Sequence, residues 1–294
     1  MSASASKSLP SRTAPIDQLS TRDFERLARF IQSHSGIKMP PTKKTMVEGR
    51  LRRRVAAVGA TDLKDYCHFL FDRGGLETEY VHLIDAISTN KTEFFREPEH
   101  FRFLSEVAVP QLLASRTGSA NKVLKVWSAA SSIGAEPYTL AMVLADLQAQ
   151  RKDFDFAITA SDISTRVLRT AMDAIYPEEM IAPISEALRK RYLMRAKDKN
   201  RRVFRIAPEL RRAVKFGRIN LMETPYPIER RFDVVFCRNI LIYFDKPTQQ
   251  AVLSQICDHM IPGGYLFLGH SETLASIDLP VTMVGTTVFR KVMK

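Results

Sequence analysis

The 294-residue chain has only three cysteines, Cys67, Cys237 and Cys257, and none stand in a C-x-x-C spacing. That excludes a disulfide framework and a zinc knuckle, and it fits reduced thiols in a cytoplasmic protein. No uninterrupted apolar run approaches the roughly 18–20 residues of a membrane span, so the chain is not expected to be embedded in a bilayer. Residues 1–18 are rich in Ser and Ala without an apolar core of signal-peptide length, and are expected to form a disordered lead-in. Phosphate-binding patterns are also missing: neither G-x-x-x-x-G-K-[ST] nor G-x-G-x-x-G occurs. There is no H-E-x-x-H, and His34, His68, His82, His100, His259 and His270 are scattered, so no metal is expected. The G-x-S-x-G elbow of an α/β-hydrolase is absent too.

Positive charge, by contrast, is plentiful. Lys and Arg number 44 against 32 Asp and Glu, a net charge of +12. Such a balance favours an acidic partner, whether nucleic acid, membrane surface or protein, without choosing among them. The charge concentrates in two places. Residues 43–58 read as a helix with Val47, Leu51, Val55 and Val58 on one side, and Arg50, Arg52, Arg53 and Arg54 crowded without an intervening acid. Residues 183–218 hold Arg189, Lys190, Arg191, Arg195, Lys197, Lys199, Arg201 and several more, with few acids. This second stretch interrupts an otherwise regular pattern and is expected to be a basic insertion.

Organisation follows from periodicity. Residues 19–85 carry helical spacing throughout: Phe24, Leu27, Phe30 and Ile31, then the basic helix, then Leu63, Tyr66, Phe69 and Leu70, then Tyr80, Leu83, Ile84 and Ile87. A small all-α domain of about four helices is expected. Residues 86–100 form a linker of unusual composition, with polar Asn90 and Thr92 leading into Phe94-Phe95, Arg96 and Pro98. From residue 101 onward strands and helices alternate, the mark of a largely parallel sheet with crossover helices. Strands are expected at 123–129, 154–161, 214–219, 232–237, 264–268, 281–284 and 287–292, and helices at 101–115, 137–150, 164–175 and 246–260. The last two strands are close enough to pair as an antiparallel hairpin, which makes seven strands in all.

In such sheets ligands bind beyond the carboxyl ends of the strands. Those ends read Ser128–Glu136, Ser161-Asp162, Asn220-Leu221, and Arg238-Asn239 with Tyr243. An acid past the second strand suits two ribose hydroxyls, since a carboxylate accepts both bonds. Asn220 has a donor and an acceptor to offer an adenine edge. Glu136, at the start of the helix after the first strand, repels phosphate and tolerates a cationic sulfonium or ammonium. The ends therefore fit S-adenosyl-L-methionine better than NAD or ATP. His270, at another strand end, is read as a structural residue.

Three longer motifs make this specific: Ser88-Thr89-Asn90-Lys91-Thr92-Glu93-Phe94-Phe95-Arg96-Glu97, residues 126–138 around Ser131-Ser132-Ile133-Gly134, and Phe236-Cys237-Arg238-Asn239-Ile240-Leu241-Ile242-Tyr243-Phe244-Asp245. With Gly269-His270-Ser271-Glu272, they resemble the CheR family of chemotaxis receptor glutamate methyltransferases. The resemblance runs from about Phe24 to the C-terminus. It implies a class I S-adenosylmethionine-dependent methyltransferase core, a helical N-terminal domain and a small β-subdomain inserted at the basic stretch. By position, Asn90, Thr92, Arg96, Glu136, Asp162, Asn220, Leu221, Arg238 and Asn239 would contact the cofactor. Arg96 and Tyr243 would position the substrate carboxylate. The partner it implies is the cytoplasmic helical bundle of methyl-accepting receptors, met by a monomer through Arg50, Arg53 and Arg54. Two departures stand out. The family has two acids before the proline where this chain has Ala135 and Glu136. Residues 195–202 also lack the glycine-rich loop of members that grip a C-terminal receptor pentapeptide, so that tether is not carried over.

The reaction this implies is transfer of a sulfonium methyl to a glutamate oxygen, giving a methyl ester and S-adenosyl-L-homocysteine. Two other readings compete on charge alone. A nucleic-acid methyltransferase would show salt-dependent DNA or RNA binding, but the amine-methylating kind carries N-P-P-Y where Arg238-Asn239-Ile240-Leu241 stands. A non-catalytic receptor adaptor would bind no cofactor.

Overall fold

The computed structural model describes residues 17–116, 122–198, 200–229, 231–275 and 277–293. The expected lead-in lies outside them apart from Asp17 and Gln18, and so does Lys199 of the basic stretch.

Four helices open the described chain: α1 (Thr21–Ser35), α2 (Lys44–Val58), α3 (Leu63–Asp72) and α4 (Leu76–Ile87). The hydroxyl of Ser20 accepts from the Asp23 amide at 3.0 Å and starts α1; Gly36, at φ 72°, ends it by donating to Gln32 O. Both contacts satisfy backbone groups that a helix end leaves free. Phe24, Leu27, Ile31, Val47, Leu51, Leu63, Tyr66, Leu83 and Ile84 share one core. Inside it Arg54 grips Glu79 with two bonds, Nη2 to Oε2 at 2.8 Å, and Tyr66 Oη donates to the same carboxylate at 3.0 Å.

The next helix comes in three pieces: α5 (Pro98–Phe103), a π-helical turn (Leu104–Ala108) and α6 (Val109–Ala114). A single helix at 101–115 was the expectation. Pro98 starts it earlier because its missing N–H is tolerated in the first turn. Pro110 lies inside the helix, where it has no N–H to donate and its ring crowds the preceding turn; the chain widens there.

The remaining elements are β1 (Lys122–Ala129), α7 (Ala135–Arg151), β2 (Phe154–Asp162), α8 (Thr165–Asp173), β3 (Ile175–Pro177), α9 (Glu186–Tyr192), β4 (Leu193–Arg195), β5 (Val203–Ile206), α10 (Pro208–Ala213), β6 (Val214–Arg218), β7 (Phe232–Cys237), α11 (Lys246–Asp258), β8 (Met260–Leu268), β9 (Val281–Gly285) and β10 (Val288–Lys291). The large sheet has seven strands in the order β6-β2-β1-β7-β8-β10-β9. β6 to β8 are parallel, while β10 runs antiparallel to both β8 and β9. Every residue of β7 is buried, as a central parallel strand covered on both faces requires. Phe236 on it stacks on Phe267 at 4.3 Å and on Phe101 at 5.7 Å.

β3, β5 and β4 form a second, three-stranded antiparallel sheet. Its first strand begins at Ile175, where α8 was expected to continue. Ala174 takes φ 54°, which ends α8 and turns the chain into that strand.

Candidate active site

The strand order reverses between β1 and β7, so the loops beyond their carboxyl ends diverge and leave a crevice. The β1 loop holds its shape through backbone angles that side chains rarely adopt: Ala130 at φ 57°, Ser132 at 51° and Gly134 at 92°. Only glycine fits the last position. A Cβ there would lie 2.9 Å from both Ala171 Cβ and Tyr176 Oη, and that hydroxyl donates to Ile133 O at 2.7 Å. Asp162, at the end of β2, pins the loop from the other side. One of its oxygens accepts from the Ser132 amide at 2.8 Å and the other from the Ser164 amide at 2.9 Å. Burial pushes its carboxyl up to about 6, against the pull of these amides.

The segment after α4 approaches from above. Arg50 donates to Ile87 O and Ser88 O and so anchors its start. Asn90 O accepts from Ser132 Oγ at 3.1 Å, and Phe94 packs edge-on against Tyr176 at 5.0 Å. Arg96 then sits between two left-handed residues, Phe95 at φ 55° and Glu97 at φ 57°. Its guanidinium donates to Lys91 O at 3.3 Å.

A buried ion-pair cluster lies behind Arg96. Arg238, whose side chain is 2% exposed, pairs with Glu97 Oε2 at 2.9 Å and Glu136 Oε2 at 3.3 Å, and also donates to Arg96 O. Burial raises the Glu136 carboxyl, and Arg238 and the Ser128 hydroxyl oppose it. Burial acts on Glu97 as well, but there Arg238, Asn239 and the His270 amide outweigh it and hold the carboxyl below its ordinary value. Glu272 fastens the neighbouring loops, accepting from the amides of Asn239, Leu241 and Gly269 at 2.7–2.9 Å.

One cavity, about 1140 Å³ counting its open mouth, is lined by Asn90, Thr92, Arg96, Glu136, Asp162, Asn220, Leu221, Arg238, Asn239 and Tyr243. Every residue singled out for the site in the sequence therefore meets in one place. Two of them are engaged differently from the expectation. The Asn220 amide donates to His34 O at 2.6 Å and Glu223 Oε1 at 2.9 Å and accepts from the Met222 amide, so it holds a turn against the helical domain. Arg238 is committed to the ion pairs just described. His270 does not line the cavity.

Sequence reasoning missed the roof. Ile37, Met39, Lys43 and Met46, from α2 and the loop before it, close over the crevice, and Lys43 Nζ stands 5.5 Å from the Tyr243 ring centroid. The Lys38 amide donates to Tyr243 O at 3.0 Å, and Thr165 Oγ1 to Asp85 at 2.9 Å. Nothing in the local sequence signals these contacts between domains. Ser131, part of the Ser128–Glu136 strand end but given no role of its own there, lines the cavity too, and its Oγ is buried with no hydrogen-bond partner among the described residues.

Residues 22–88 match the family model described as CheR methyltransferase, all-alpha domain, and residues 90–290 match CheR methyltransferase, SAM binding domain. The chain belongs to the CheR methyltransferase family. It is 36% identical to a chemotaxis protein methyltransferase of Borreliella burgdorferi, over 86% of this chain and 88% of that one. It shows the same identity to the Escherichia coli chemotaxis protein methyltransferase, covering 92% and 91%, and to chemotaxis protein methyltransferase 2 of Pseudomonas aeruginosa, covering 91% and 92%. This CheR chain is thus a class I methyltransferase that works in chemotaxis, with S-adenosylmethionine as its cofactor. The cavity suits that molecule. It offers an unpartnered Ser131 hydroxyl, the remaining lone pairs of Asp162 for hydroxyls, and the Glu136 carboxylate for a cation.

Proposed function

We propose that the chain methylates glutamate side chains in the cytoplasmic helical bundle of methyl-accepting receptors, forming methyl esters. One observation carries this reading: the carboxylates of Asp162 and Glu136 and the polar groups of Arg96 and Tyr243 line the same cavity. Cofactor and acceptor can therefore meet there. In the cofactor role stand Asn90, Thr92, Arg96, Glu136, Asp162, Asn220, Leu221, Arg238 and Asn239. Asn220 acts by shaping the turn, and Arg238 by holding Glu136 in place.

When bound, S-adenosylmethionine supplies an electrophilic methyl group on a positively charged sulfur. A glutamate acceptor has an unperturbed pKa near about 4.3 and arrives as a carboxylate, so no residue here has to remove a proton. Arg96 and the Tyr243 hydroxyl hold and orient that carboxylate, which is where catalysis by positioning would come from. Held in this way, an acceptor oxygen would be turned toward the methyl group, while Glu136 and Asp162 would hold the donor. Lys43, Met39 and Ile37 overhead keep water out.

Receptor docking through α2 falls chiefly to Arg53. It is exposed and makes no hydrogen bond or ion pair among the described residues. Arg50 and Arg54 are tied to Ser88 O and Glu79. The free, buried thiols of Cys67, Cys237 and Cys257 suit the cytoplasm, and since one chain supplies the whole cavity lining, a monomer suffices.

The test is incubation with labelled S-adenosylmethionine and receptor-enriched membranes. Methyl label that alkali releases is expected, while alkali-stable label would rule out an ester. Arg96→Ala should lose about 100-fold or more in turnover with S-adenosylhomocysteine still bound in calorimetry. Wild-type turnover in that variant would remove Arg96 from acceptor positioning.

A further inference from the structure

Glu97 does not line the cavity, yet its side chain makes as many hydrogen bonds as that of Arg238, which does. Oε2 pairs with Arg238 at 2.9 Å. Oε1 accepts from Asn239 Nδ2 at 3.2 Å and the His270 amide at 3.3 Å. Arg238 in turn donates to Arg96 O, and Asn239, at φ 59°, begins the loop that leads through the turn at Leu241–Tyr243. One carboxylate thus ties the segment carrying Arg96 to the segment carrying Tyr243.

Glu97, His100 and His270 also offer ligand atoms within 4.8 Å of one another. The guanidinium already on Glu97 Oε2 opposes a metal cation there, so the cluster reads as an anchor. Backbone strain says the same. Phe95, Glu97 and Asn239 each hold a left-handed conformation that persists only where surrounding bonds enforce it.

We propose that Glu97 is a positioning residue for methyl transfer, which sets Arg96 and Tyr243 relative to each other and acts through Arg238 and Asn239. This rests on the assignment of Arg96 and Tyr243 to the acceptor carboxylate. Without the Glu97 charge, Arg238 is left to Glu136 alone and draws away from the Arg96 carbonyl. A shift of about 1 Å in a positioning group lowers turnover about 100-fold.

The experiment is a double-mutant cycle of Glu97→Gln and Arg96→Ala, with labelled methyl transfer to receptor-enriched membranes and calorimetric binding of S-adenosylhomocysteine. Glu97→Gln alone should lower kcat about 100-fold, with S-adenosylhomocysteine affinity held within about threefold. In the Arg96→Ala background the same change should cost no more than about twofold, because the group it positions is gone. Equal losses in both backgrounds, or an affinity that falls in step with kcat, would overturn the proposal. Should Glu97→Gln fail to fold, Glu97→Asp replaces it: the charge stays but the shorter arm cannot span both segments. A loss of about tenfold or more that Arg96→Ala suppresses is then expected, and full activity overturns the proposal. An active Arg96→Ala enzyme would sink the acceptor assignment and this inference together. Additive losses over an impaired but measurable Arg96→Ala enzyme would sink only the inference.

Discussion

Asp162 joins a structural task that its bonds show to the ligand role proposed for it. Its two oxygens hold the β1 and β2 loops, and burial pushes its carboxyl up to about 6. An unfolded aspartate titrates near about 3.9. The folded state therefore binds the extra proton between about 4 and 6, and the cost of ionising Asp162 grows through that window and is constant above it. If Asp162 receives the ribose hydroxyls, as proposed, they favour its ionised form, and cofactor binding should strengthen as pH rises. S-adenosylhomocysteine affinity is expected to fall by up to about tenfold per unit below pH 6, followed by calorimetry between pH 5 and 7.5. Asp162→Asn should flatten that slope whatever its absolute affinity; an unchanged slope would clear Asp162 of the effect.

At the scale of elements, the turn from β1 into α7 depends on Gly134. Gly134→Ala adds both a left-handed strain and a contact 2.9 Å from Ala171 and Tyr176. Destabilisation by about 2–4 kcal/mol is expected in denaturant unfolding. A midpoint within error of wild type would mean the loop can reroute. The strand–turn–helix here was legible because β-branched residues, small residues and an apolar-periodic run follow one another. The seven strands were legible for the same reason of period. What could not be read was set by distant partners. The left-handed Glu97 and the roof of Ile37 and Lys43 over Tyr243 arise from contacts far along the chain, whereas the widened turn at Leu104–Ala108 answers to Pro110 just beyond it. The crowded arginines of α2 read as one charged face, yet Arg50 and Arg54 turn inward. Arg54→Ala should therefore lower helical-domain stability by about 2 kcal/mol, discounted for its partial exposure. Arg53→Glu should leave thermal unfolding unchanged and weaken receptor association. Equal thermal shifts in both would contradict this division.

Over the whole molecule, the helical domain and the sheet domain share one cavity but keep separate cores. The three thiols fall on both sides of that division. Cys67 lies in the helical core, and Cys237 and Cys257 lie in and beside the sheet. All three are free and buried, and burial pushes Cys67 up to about 12 and Cys257 up to about 11. Neither is a reactive thiolate at neutral pH while folded. An alkylating reagent can label each one only when its own domain opens, so the chain carries a native clock for the breathing of its two halves. S-adenosylhomocysteine, bound between roof and sheet, should slow labelling of Cys67 and Cys237 alike in timed mass spectrometry. Slowing at Cys237 alone would show that the roof opens independently of what lies beneath it.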